Sequence, residues 1–236
     1  MIVIITKTSP SWLMLFIVMV VGCSEYCHAQ KRDVNVTRRE VACLSIDARN
    51  HISNLAEFTN CTVVEGSVQI VLMDNNKEDE VDQYSLPNLI EVTDYVLLYR
   101  VTKLKTLRKL FPNLAVIGGA NLLYHYSLII FEMFDLEEVG LESLVSIKRG
   151  AIRIEKNPVL CYIDMIDWNL ISEEHKENSY FGYNKDQGLC LNSCPEPPGT
   201  CTKTLANGEI KELCWNEYSC QKGKNFLFIF CALFVF

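Results

Sequence analysis

The sequence predicts a β-rich fold, a leucine-rich-repeat-like or β-helical solenoid of short strands followed by a small disulfide-rich module. Three observations lead there. An apolar residue or cysteine followed three positions later by Val or Ile recurs at Cys61/Val64, Leu89/Val92, Leu114/Ile117 and Leu144/Ile147, at intervals of 28, 25 and 30 residues. Each pair precedes a strand-like run: Gly66 to Met73, Asp94 to Arg100, Asn121 to Tyr124, and Ala151 to Glu155. Repeats of that length with one or two strands each suit a coil, and their uneven spacing argues against a long uniform array. Beyond Cys190 the cysteines crowd into C-x3-C-x6-C-x12-C-x5-C, a stretch too small for a hydrophobic core and dependent on disulfides.

The elements follow in chain order. Residues 1–29 read as a signal peptide: Lys7 supplies the positive region, Trp12 to Gly22 an apolar run of eleven residues, and Cys27-His28-Ala29 a cleavage site. The alternative, a membrane anchor, needs about 20 apolar residues. Residues 30–42 are polar, without periodicity, and read as a flexible lead-in. Between Cys43 and Cys61, the segment Asp47 to Phe58 places Ile52, Leu55, Ala56 and Phe58 on an approximate helical stripe. A short helix there would cap the open end of the coil, whose first turn has no neighbour. Asp74 to Asp82 is an acidic insertion read as a solvated loop, lacking the spaced ligands and glycine of a calcium site. Pro87 and Pro112 mark corners, Gly118-Gly119 a tight bend, and Thr102 to Leu110 a short helical or irregular corner with a basic face. After Cys161 the pattern breaks, and Trp168 is expected to fill the end of the core.

Composition excludes whole classes of function. The formal charge of −7 over 236 residues, without a long basic run, argues against nucleic acid as a partner. Cleavage after Ala29 leaves Cys43, Cys61, Cys161, Cys190, Cys194, Cys201, Cys214 and Cys220 in the folded region, an even number that reads as four disulfides in an oxidising compartment. Counting alone leaves on the order of a hundred pairings open. No paired Cys-x-x-Cys or nearby His couple supports zinc, so no metal and no cofactor is expected. Asn35-Val36-Thr37 and Asn60-Cys61-Thr62 are glycosylation sequons, in keeping with export. An enzyme is not expected. His51, His125 and His175, the histidines beyond the signal, accompany no recognisable nucleophile motif, and the kinase His-Arg-Asp and Asp-Phe-Gly are absent from the sequence.

Thr93-Asp94-Tyr95-Val96-Leu97-Leu98-Tyr99-Arg100-Val101, Leu110-Phe111-Pro112-Asn113-Leu114, Ile130-Phe131-Glu132-Met133, Arg153-Ile154-Glu155-Lys156-Asn157, Leu160-Cys161-Tyr162 and Ile166-Asp167-Trp168 together resemble the ectodomain of the insulin and insulin-like growth factor receptor family. The resemblance runs from Cys43 to about Lys222. It implies a receptor L domain at 43–190, folded as a short right-handed β-helix, then the start of a furin-like cysteine-rich region at 191–222. It also implies the disulfides Cys43–Cys61, Cys161–Cys190, Cys194–Cys214 and Cys201–Cys220.

In that family the broad sheet face of this domain binds the hormone together with an amphipathic helix from a distant receptor segment. Carried over position by position, the resemblance implies a ligand-binding face of Asp47, Arg49, Asn50, Gln69, Val71, Leu72, Tyr99, Leu122, Leu123, Tyr124, Glu132, Glu155 and Lys156. An apolar and aromatic stripe accepts a helix, and charges at its edges set register. Asp74 stands where an aromatic is usual, His125 where Asn is, and Leu123 and Tyr124 replace phenylalanines. Each lost aromatic anchor costs about 1–2 kcal/mol on the scale of hot-spot truncations.

The implied partners are an insulin-like peptide hormone and, as an alternative, the full-length insulin-like receptor with which such a chain could associate. The implied location is extracellular. Residues 223–236 form an apolar tail outside the family pattern, too short to span a bilayer, whose Gly223-Lys224 is what reading through a splice donor would encode. Without a kinase, the expected role is a truncated receptor or soluble decoy that sequesters hormone.

Overall fold

The computed structural model describes residues 40–172, 178–205 and 208–222. The expected signal peptide, Asn35 with most of the expected lead-in, and the apolar tail lie outside the described residues.

Nine strands run through the first part of the chain: β1 (Ala42–Arg49), β2 (Val63–Met73), β3 (Glu91–Val92), β4 (Val96–Val101), β5 (Val116–Ile117), β6 (Tyr126–Phe131), β7 (Ser146–Ile147), β8 (Ala151–Glu155) and β9 (Tyr180–Gly182). They form two parallel ladders that share β2. The long one runs β1-β2-β4-β6-β8-β9, and the short one β2-β3-β5-β7. Because successive side chains of a strand alternate between faces, register turns each strand's inward positions into rows. Ile46, Val68, Val96, Leu128 and Ile152 make one row; Ala48, Ile70, Leu98, Ile130 and Ile154 make the next. All ten are buried.

The short ladder is the structural form of the sequence repeat. Val64, Val92, Ile117 and Ile147 pair in one column, and Cys61, Leu89, Leu114 and Leu144, three positions earlier, are buried behind them. Corners are tied from turn to turn: the Asn88 amide donates to Thr59 O, the Asn113 amide to Pro87 O at 2.7 Å, and the Ser143 hydroxyl to Pro112 O at 2.8 Å. Gly118 and Gly119 lie where turns press closest. A Cβ on Gly118 would sit 2.3 Å from Thr93 O, and one on Gly119, which also has φ of +68°, 2.1 Å from Arg149 O.

Several expectations need correction. Asp47 to Arg49 belong to β1, and the helix is a 3-10 turn confined to Ile52–Phe58, which buries Ile52 and Leu55 at the first turn. β1 wins because its Ile46 and Ala48 complete the two inward rows. Asn121 to Tyr124 is not a strand. Tyr124 has φ of +58°, and Leu123 and Tyr126 exchange two 3.0 Å backbone hydrogen bonds, closing a tight turn before β6. Within the acidic insertion Glu78–Val81 forms one helical turn, because Val81 is drawn into the core. Thr102 to Leu110 is an irregular corner with Leu104, Leu107 and Leu110 buried.

Among the described residues four disulfides are present: Cys43–Cys61, Cys161–Cys190, Cys194–Cys214 and Cys201–Cys220. The first ties β1 to the segment beyond the 3-10 turn; the last two fasten Cys194 and Cys201, which precede a small antiparallel hairpin, to the strands of a second one. This segment adds to the core of the ladders. Trp215 is fully buried and meets Trp168 edge-on at 5.9 Å, while the Asn216 amide donates to both Glu138 and Glu142. Gln221 exchanges hydrogen bonds with the backbone of Asp167.

Candidate functional site

The outward positions of the long ladder form two rows. One reads Asp47, Gln69, Leu97, Ile129, Arg153, Tyr180; the other Arg49, Val71, Tyr99, Phe131, Glu155, Gly182. One residue further along each strand comes a third row, Asn50, Leu72, Arg100, Glu132, Lys156 and Tyr183, every member with positive φ between 50° and 68°. The left-handed kink recurs turn after turn, directly after the last residue of β1, β6, β8 and β9 and one residue before the end of β2 and β4. None of these six is β-branched, the class that tolerates such a backbone least.

Most of the candidate residues therefore meet on one surface. Asp47 and Gln69 lie in the first row, Arg49, Val71, Tyr99 and Glu155 in the second, and Asn50, Leu72, Glu132 and Lys156 in the kinked edge. Leu122, Leu123 and Tyr124 stand apart, at the opposite end of β6. They are carried by the turn that precedes that strand, and Tyr124 is 84% exposed at its tip. His125 shares the exposed turn, and Asp74 is exposed just beyond the end of β2.

The charges on this face cluster. Asp47 accepts two hydrogen bonds from Arg49, at 2.6 and 2.8 Å, an arrangement open to residues two apart on a strand. Glu132 lies between Arg100 Nε at 2.7 Å and Lys156 Nζ at 3.5 Å. The Arg100 hydrogen bond holds its carboxyl below the ordinary glutamate range. Glu155 is only 6% exposed, and its carboxylate accepts from Arg153 Nε at 2.8 Å.

An aromatic strip crosses the middle. Tyr99 and Phe131 stack with ring centroids 5.5 Å apart. The Arg153 guanidinium lies 5.5 Å from Phe131, 5.6 Å from Tyr126 and 6.0 Å from Tyr180, and Lys156 Nζ is 5.1 Å from Phe131. Gln69 donates to the Tyr95 hydroxyl at 3.0 Å. Sequence reasoning did not pick out Phe131, Arg153, Tyr126, Tyr180, Leu97, Ile129 or Arg100 for this face. A signal existed for some: with Glu155 outward, strand alternation puts Arg153 outward too, and parallel register then sets Phe131 beside Tyr99.

This geometry suits a macromolecule. Six strands about 4.8 Å apart give a surface roughly 24 Å wide, the length of a helix of about 16 residues. A cleft of about 430 Å³ lies elsewhere, lined by Lys105, Phe134, Asp135, Glu137, Val159, Cys161, Tyr162, Lys185 and Leu191, none of them a candidate residue. Among the described residues, no group of three or more His, Cys, Asp or Glu side chains could hold a metal ion. No helix among them is long and apolar enough to cross a membrane.

Comparison with known proteins agrees with this architecture. Residues 60–172 match the family model described as Receptor L domain. The chain is 48% identical over 183 residues to an insulin-like peptide receptor of Branchiostoma lanceolatum, covering 78% of this chain and 13% of the relative. It is 44% identical over 181 residues to an insulin-like growth factor 1 receptor of Xenopus laevis, covering 75% and 13%. It is also 44% identical over 184 residues to an insulin receptor of the same animal, covering 76% and 13%. The chain thus spans 13% of the length of each of these relatives.

Proposed function

This chain carries a receptor L domain homologous to those of insulin-receptor-family ectodomains, and on that premise we propose that it is an extracellular, non-enzymatic module that binds an insulin-like peptide hormone on the outward face of its long ladder. The observation that carries the reading is the convergence of residues far apart in sequence. Asp47, Gln69, Tyr99, Glu132 and Glu155 come from five successive strands or their kinked ends and meet on one surface. The Asp47–Arg49 pair and the Arg100–Glu132–Lys156 cluster stand at the margins of that surface, with rings and the paired Arg153 and Glu155 between them, which suits an amphipathic helix.

Finer parts of the proposal rest on the same premise. The two parallel ladders are faces of a short right-handed β-helix spanning 43–190, and 191–222 begins a cysteine-rich region. Residues 1–29 direct export, and the exposed Asn60 takes up a glycan. Expressed as these residues alone, the chain acts as a decoy, removing hormone by mass action without transducing. Its intrinsic affinity is low, because the site is completed by a helix supplied from elsewhere.

Titration of the secreted chain with insulin and insulin-like growth factor 1, with and without an amphipathic helix peptide from a relative, tests this. Saturable binding that strengthens when the helix peptide is added is expected. Absence of binding in every combination overturns the reading.

A further inference from the structure

The outward face does not stop at β8. Tyr180 opens β9 and pairs in register with Arg153, and Gly182 pairs with Glu155. A Cβ built on Gly182 would lie 2.5 Å from the Tyr180 hydroxyl oxygen and 2.7 and 2.8 Å from two of its ring carbons. The Tyr180 ring is therefore folded along its own strand, over the place where a side chain at 182 would stand. Gly182 has no positive φ, so its backbone does not call for glycine; the space taken by the ring does.

That placement has a consequence for Arg153. Its guanidinium lies between the Phe131 ring at 5.5 Å and the Tyr180 ring at 6.0 Å, while Glu155 neutralises it. Tyr99, Phe131, Arg153 and Tyr180 thus form one continuous strip without net excess charge, once Glu155 is counted. Tyr180 is 41% exposed and Tyr183, close by on the kinked edge, 74% exposed, so among the described residues the strip ends in open aromatic surface. Along the same edge Arg100, Glu132 and Lys156 sum to a single positive charge.

We propose that Tyr180, held flat because residue 182 is glycine, is a further contact of this face and extends the footprint of its helical partner to the sixth strand. The occupant this chemistry fits is an amphipathic helix that lays an apolar side chain on the Tyr180 ring. The same helix turns a carboxylate toward Lys156, where the edge carries its surplus positive charge. The inference rests on the hormone-binding reading of the face and adds a residue pair that sets how far along the sheet the partner reaches.

The test compares full-length chain, wild type and variants, for binding of insulin and insulin-like growth factor 1 in the presence of the amphipathic helix peptide. Tyr180→Ala is expected to weaken binding roughly tenfold and Tyr180→Phe to leave it nearly unchanged. Gly182→Ala is the decisive variant. It keeps Tyr180 but evicts its ring, and the clash is with the far end of a side chain, so the fold tolerates it. It should weaken binding to a degree similar to Tyr180→Ala, with thermal unfolding little altered. Leu72→Ala, on the established rows of the face, serves as reference. If Leu72→Ala weakens binding while Tyr180→Ala and Gly182→Ala do not, this inference fails and the hormone-binding reading stands. If wild type binds neither peptide, the reading fails and takes the inference with it.

Discussion

Glu132 shows how a single carboxylate organises the edge of the face. It is 14% exposed and set between Arg100 and Lys156, so its charged form is favoured in the folded state and its pKa is depressed. A depressed carboxylate contributes stability above its unfolded pKa, and that contribution is lost as pH falls through the folded value. Glu132→Gln should therefore unfold at lower temperature than wild type at neutral pH. The gap should close as pH falls below the reference value of 4.5, in paired thermal melts across that range. A gap that is constant with pH would count against the ion cluster. Arg153 plays the complementary part. Removing it leaves the nearly buried Glu155 carboxylate without its partner, so Arg153→Ala should cost about 1–3 kcal/mol in denaturant unfolding. Partial exposure of Arg153 keeps the figure below that of a fully buried pair.

Successive stretches of the sheet hold to one another through polar side chains as well as ladders. Asn157 is fully buried; its amide donates to Ile130 O and to Asn184 Oδ1, and its Oδ1 accepts from Met133 N at 2.9 Å. One side chain thus satisfies backbone groups at the corner of the neighbouring turn, and Asn184 repeats the device by donating to Ile154 O. Asn157→Ala strands a buried donor and acceptor together and is expected to cost about 2–4 kcal/mol in equilibrium unfolding. Gly119 acts at the same scale by its lack of a side chain. Gly119→Ala drives a Cβ into the Arg149 carbonyl, which is backbone and cannot swing aside. Roughly 2 kcal/mol or more of destabilisation should follow, visible as a shifted denaturant midpoint with unchanged slope.

At the scale of all the described residues, the core behind the ladders is extended by residues beyond Cys190. Trp215 is fully buried against Trp168. Truncating it should cost about 3–5 kcal/mol and leave 191–222 open to protease while the ladders persist. Limited proteolysis of Trp215→Ala with mass spectrometry would show this; cleavage spread evenly over the ladders would instead mean that the tryptophan supports the whole core. At the opposite end, the 3-10 turn and Cys43–Cys61 cover the first rung.

What the sequence determined by itself is everything that depends on local spacing. The recurring apolar pairs from Cys61/Val64 to Leu144/Ile147 became the short ladder because a residue three positions ahead of a strand position reaches the core from the preceding corner. Pro87, Pro112 and Gly118-Gly119 became corners because their backbone chemistry leaves few alternatives. The resemblance carried residues such as Glu132 and Lys156 to the face, but spacing alone could not say that they would touch. Tertiary structure decided the remainder. Whether Asp47 to Arg49 were helix or strand, and whether Asn121 to Tyr124 extended or turned, depended on which neighbouring turn was present to pair with them. The strip of Tyr99, Phe131, Arg153 and Tyr180 exists only in register, across residues 22 to 32 positions apart. Local sequence encodes which way a side chain points; only the stacking of turns decides what it points beside.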